Sequence, residues 1–118
     1  MSRKPSKSKL NIYSYEDFRA YLKDLVQELK DLKPDLTMRK IADLAGFGSP
    51  SYLKMIIDGK RKLSEESFLS LCEVFTIKDK EKTFLHTLVN FNQCKDPDSK
   101  KDYLKLLNDL RPRVTFSK

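Results

Sequence analysis

Lys60, Arg61 and Lys62 form an unbroken run of cations between the Asp58-Gly59 end of one apolar segment and a new helix start at Ser64. Such density of charge suits phosphate oxygens, although a run of cations is also an ordinary solvated surface. Residues for covalent or acid–base chemistry are sparse. The one histidine, His86, lies in sequence with Thr83, Thr87 and Asn90 away from the apolar stripe of its segment, so a surface imidazole is expected and not a general base. The adjacent carboxylates Glu16-Asp17 and Glu65-Glu66 do not face each other on a helix and suit its first turn instead. Gly46, Gly48 and Gly59 do not form a phosphate-cradling loop pattern. Cys72 and Cys94 lie too far apart for a metal or redox pair, and Cys72 shares a helical stripe with Phe68, Leu71 and Phe75, so it is expected in the core. The residues therefore predict a protein that is not an enzyme and has no metal or cofactor, and no small-molecule ligand is evident from them.

The distribution of charge sharpens the contrast between clamp and surface. The net charge of +7 is uneven: residues 1–10 carry +4, residues 11–38 carry four cations against six anions, and residues 39–62 carry six against two. The remaining 56 positions, 63–118, are nearly balanced at ten against nine. Positive charge is thus concentrated in an N-terminal arm and one central segment, as a polyanion-binding surface requires. A chain of 118 residues suits one domain, and no apolar run approaches the roughly 20 residues that span a bilayer. The basic N-terminus lacks the apolar stretch of a signal peptide, so a soluble, cytoplasmic protein without membrane association is expected.

The elements that must position these cations are all helical. Residues 1–11, rich in Lys, Ser, Arg and Pro, are expected to be a disordered basic arm, and 112–118 a C-terminal tail. Between them lies a helical domain, 12–111. Phe18, Leu22, Leu25, Leu29 and Leu32 recur with helical period, Ser14 and Asp17 resemble a capping box, and Pro34 ends the segment. A short second helix starts after Thr37 and stops at Gly46. A third starts at Ser49-Pro50, turns Leu53, Ile56 and Ile57 inward, and ends at Gly59. Ser64 opens a fourth, Asp79 a fifth with Phe84, Leu85, Leu88, Val89 and Phe91, and Asp96-Pro97 a sixth with Tyr103, Leu104, Leu107 and Leu110. No stretch alternates with strand period. The expected fold is all-α, a compact five- to six-helix bundle.

Two short helices joined by "AGFGS" and flanked by others describe a helix-turn-helix at 37–59. The segment "LTMRKIADLAGFGSPSYLKMIIDGKRKLSEESFLSLCEVF" resembles the DNA-binding domains of the lambda-repressor-like family: Thr37 opens the second helix, Ala42 lies where the two helices cross, Gly46 is in the turn, and Gly59-Lys60-Arg61 follow the third helix. Over nearly its whole length the chain is similar to the N-terminal part of an uncharacterised bacterial family of helix-turn-helix regulators, whose members usually continue into a further domain. The spacing from Gly46 to Leu53 and Gly59 is one residue longer than usual for the lambda-repressor-like family, with Gly48 the candidate insertion. Which third-helix side chain takes which base-reading place therefore stays open.

The resemblance implies a transcriptional regulator, or its DNA-binding domain, whose third helix enters the major groove of double-stranded DNA. Ser49, Ser51, Tyr52, Lys54 and Met55 are the expected base-reading residues. Tyr52, four residues before Ile56, is equally well placed to pack. Lys60, Arg61 and Lys62 are expected to hold phosphates on one side, and Arg39 and Lys40 on the other. Arg3, Lys4, Lys7 and Lys9 suit a minor groove or backbone, and equally a solubilising tail. Related regulators pair two half-sites, which implies a homodimer, weak or DNA-induced, through the last two helices. The competing expectation is a helical protein-interaction module that keeps the fold without binding DNA, motivated by the long turn and by acidic Asp58.

Overall fold

Local side-chain hydrogen bonds decide where most of the helices begin. The computed structural model describes residues 10–111. The remainder of the expected arm, including Arg3, Lys4, Lys7 and Lys9, and the expected tail at 112–118 lie outside the described residues. Of the two described arm residues, Leu10 packs against the core, and Asn11 caps a single 3₁₀ turn, Ile12–Ser14, by accepting from Tyr13 N at 3.1 Å. That turn corrects the expected start of the first long helix. Ser14 Oγ donates to Asn11 O at 2.7 Å within the turn, and Asp17 caps helix α1 (Phe18–Leu32) by accepting from Arg19 N at 2.9 Å.

The later starts fall at the expected residues. Thr37, Ser49, Ser64 and Asp96 cap α2 (Met38–Leu44), α3 (Pro50–Asp58), α4 (Glu65–Val74) and α6 (Pro97–Leu110) through their side-chain oxygens. Helix α5 (Asp79–Gln93) starts after Lys78 without a side-chain cap. Six α-helices and no strand occur among the described residues, an all-α bundle.

The core gathers Phe18, Leu22, Ile41, Leu53, Ile56, Leu71, Phe84, Leu85, Leu88 and Leu107, each fully buried and worth roughly 1.5–3 kcal/mol against exposure. Two readings of helical faces need correction. Tyr21 and Val26 join the inner face of α1 while Leu32, in its last turn, is exposed. Thr87 is buried and not on the outer face of α5; its hydroxyl donates to Thr83 O at 3.0 Å, so its own helix satisfies it. Helix α3 packs on α2 and on α1, and α6 packs along α5.

Polar side chains fasten the ends of the bundle. Asn92 Oδ1 accepts from Phe18 N at 2.7 Å and its Nδ2 donates to Glu16 O at 2.9 Å, which ties the start of α1 to the end of α5. Arg111 Nε donates to Tyr13 O at 3.0 Å. No helix among the described residues is long and apolar enough to cross a membrane.

Candidate nucleic-acid interface

The Thr37 hydroxyl accepts from Lys40 N at 3.2 Å, leaving Arg39 and Lys40 exposed in the first turn of α2. The helix ends where Phe47 N donates to Ala42 O at 2.9 Å and Gly46 takes a left-handed φ of 78° that a side chain would oppose. Gly48 carries no such demand, since its φ is not left-handed and a Cβ there meets nothing within 4 Å. The turn is closed by an edge-on contact of Phe47 and Tyr52, with ring centroids 4.9 Å apart.

Each expected base-reading residue has a definite place on α3. Ser49 Oγ accepts from Ser51 N at 3.1 Å, so this hydroxyl serves the helix cap. Tyr52 is half-buried and shares a hydrogen bond of 2.9 Å with Ser67 Oγ, which ties its phenol to α4. Ser51, Lys54 and Met55 are exposed, and Ser51 and Met55 lie one turn apart. Lys54 Nζ is 3.7 Å from Asp58 Oδ2, but its side chain is 71% exposed, so the pair is weak and leaves the ammonium free to exchange partners. Gly48, Ser49, Ser51, Tyr52, Met55 and Arg61 line a shallow depression of about 320 Å³. Arg61 enters it with its guanidinium 5.4 Å from the Tyr52 ring centroid.

The three-cation loop is fastened from both sides. Gly59 has a φ of 86°, and Lys60 N donates to Met55 O at 2.8 Å, which ends α3 abruptly. Arg19 Nη1 donates to Ile56 O and, at 3.1 Å, to Arg61 O, while its guanidinium lies 4.6 Å from the Phe18 ring centroid. At the far end Gln93 pairs both amide atoms with one residue: Oε1 accepts from Leu63 N at 2.6 Å and Nε2 donates to Leu63 O at 3.2 Å. Leu63 is buried, and Lys60, Arg61 and Lys62 are left exposed between the two anchors.

Neither Arg19 nor Gln93 was expected to serve this loop. One signal pointed to Arg19: a cation in the first turn of a helix opposes the dipole, so its place there calls for an interaction elsewhere. His86 Nε2 lies 2.8 Å from Glu65 Oε1, with its ring against Phe68. Burial pushes the Cys72 thiol up to about 11, which keeps it protonated at neutral pH. No family model, curated protein or solved structure matches the chain.

Proposed function

We propose that the chain binds double-stranded DNA in a sequence-specific manner, as a bacterial transcriptional regulator of lambda-repressor-like type or its DNA-binding domain. It acts by occupying a site and not by catalysis. The observation that carries this reading is the pairing of an exposed outer α3 face, Ser51, Lys54 and Met55, with an anchored loop of three exposed cations at the end of the same helix. Phosphate contacts position a protein on a duplex, and base-edge contacts from a groove-bound helix specify where.

The roles divide along the geometry. Ser51 and Lys54 offer hydrogen bonds to base edges, and Met55 offers apolar contact to a thymine methyl. Lys60, Arg61 and Lys62 hold phosphates beside the C-terminal end of α3, and Arg39 and Lys40 hold them beside α2. Ser49 and Tyr52 contribute by placing the helix, with whatever face Tyr52 leaves open added to the reading surface.

One observation favours the second reading, a helical protein-interaction module. The aromatic pair Phe47 and Tyr52 with Arg61 forms a small platform beside the α3 face, a composition common at protein contacts. Selection of bound duplexes from a random pool, followed by affinity measurement across salt concentrations, separates the two. The DNA reading expects an enriched sequence and an affinity falling linearly in log–log form with salt. No enrichment and no salt-dependent duplex binding would leave the interaction module standing.

A further inference from the structure

A second concave site lies away from α3. A cavity of about 480 Å³ opens between α1 and the segment 75–81, within the size range of small-molecule sites. Its apolar wall is Leu25, Phe75 and Ile77, and its polar end combines Tyr21 with the first turn of α5.

Two independent features give this polar end a direction. Tyr21 is only 2% exposed, yet its hydroxyl has no hydrogen-bond partner among the described residues, a costly arrangement for a buried polar group. Burial, with the carboxylate of Glu81 nearby, pushes this phenol far above its ordinary pKa, so it stays a donor. The second feature is the start of α5. Lys78 provides no side-chain cap, so the amides of Asp79, Lys80 and Glu81 have no intrahelical acceptor. Left-handed φ values of 56° at Thr76 and 58° at Asp79 bend the chain around this end.

The charges decide the ligand class. Lys78 and Lys80 are balanced by Asp79 and Glu81, so the site offers donors without a net positive charge. A single negative charge suits such donors, whereas a phosphate dianion calls for an excess of positive charge that this balanced set does not supply. We propose that this cavity binds a small apolar monocarboxylate, its carboxylate on the first-turn amides of α5 and the Tyr21 hydroxyl, its tail against Leu25, Phe75 and Ile77. The proposal stands independently of DNA binding.

Phenylacetate titrated into the full chain and followed by amide chemical shifts tests it, with phenylacetamide and phenylphosphonate as comparison arms. Phenylacetate is expected to shift the amides of residues 76–81 saturably, and the two comparison compounds to bind at least about tenfold more weakly. Tyr21→Phe should weaken phenylacetate about tenfold without lowering Tm, because the hydroxyl has no hydrogen-bond partner among the described residues to lose. Lys80→Glu, a change at an exposed position, should abolish the shifts. The proposal is overturned by an absence of shifts at residues 76–81 up to about 10 mM ligand. Equal binding of the amide or the phosphonate, shifts indifferent to both variants, or a Tm drop in Tyr21→Phe would overturn it as well.

Discussion

Arg19 holds two backbone carbonyls that no other side chain reaches among the described residues, those of Ile56 and Arg61. Charge-assisted hydrogen bonds of this kind are worth about 1.5–3 kcal/mol, so Arg19→Met, which keeps an unbranched apolar stem but loses the guanidinium, should destabilise the fold by at least about that amount. Hydrogen exchange at residues 59–61 should accelerate more than exchange in the core. Uniform acceleration would mean that the loop opens only with global unfolding and is not held by this residue. The partners lie 37 and 42 positions away, which is why sequence showed only an ill-placed cation and not its use. Cys72, by contrast, was legible because its stripe of Phe68 and Leu71 is local. Its thiol is raised from 9.0 to about 11 by burial, so the folded state holds a proton that the unfolded state releases. Stability from this group is complete below pH 9 and is lost as pH rises toward about 11. Cys72→Val should therefore flatten the alkaline decline in stability over that window, measured by denaturant titration, and native Cys72 should resist thiol reagents.

At the scale of elements, three helices end alike. Phe47 N donates to Ala42 O, Lys60 N to Met55 O and Ile77 N to Cys72 O, each closing a terminus around a left-handed residue. Glycine fills that place at 46 and 59, and Thr76 fills it after α4 with a φ of 56°. A β-branched residue is strained there, so Thr76→Gly should stabilise the protein by about 1 kcal/mol despite the added freedom of the unfolded chain. A loss of stability in thermal unfolding would contradict this account. The glycine-marked ends were readable from the sequence, and so was a link from Thr76 to Lys78 after the fourth helix; the left-handed conformation of Thr76 was not, because no residue type announced it. The same holds for starts: Thr37, Ser49, Ser64 and Asp96 cap as expected, while the Ser14 hydroxyl was claimed by the turn capped by Asn11.

The loop and α3 should also fail differently. Neutralising Lys60, Arg61 and Lys62 together should weaken binding to all duplexes and reduce the salt slope by roughly 2–3, at about 0.9 per lost phosphate contact, with sequence preference intact. Ser51→Ala should relax preference at one or two base positions, costing about 1–3 kcal/mol per specific contact, with the slope nearly unchanged. An unchanged affinity and slope in the triple variant would make the cations a solvated surface. The exposed positions of this pair of helices were legible from period alone. Which hydroxyls remained available was legible only in part: Ser49 was readable as the cap that Ser51 N engages, whereas only the folded chain brings Ser67 to the Tyr52 hydroxyl.

The whole molecule presents one α3, and one groove-bound helix reads few base pairs, so useful specificity calls for a second copy on the same duplex. Helices α5 and α6 were expected to supply the contact through Tyr103, Leu107 and Leu110. The bundle uses part of that set itself: Leu107 is fully buried and Leu110 packs against the core. Sequence could not separate these from Leu104 and Leu106, since all are leucines on one amphipathic helix and the position of α5 decides which are covered. Leu104 and Leu106 are the ones left exposed, at 44% and 48%. Two leucines on different sides of a helix make a small apolar contact, well short of the roughly 1,200 Å² that a stable dimer buries, so pairing is expected only when DNA holds two copies together. Sedimentation should then show a monomer in free solution and two copies on a selected duplex whose half-sites lie about 10 base pairs apart, centre to centre. Leu104→Glu should lower affinity for the paired site while leaving a single half-site unaffected. Selection of one unrepeated half-site with one-to-one stoichiometry would remove the dimer and leave α3 and its anchored loop to account for all of the specificity.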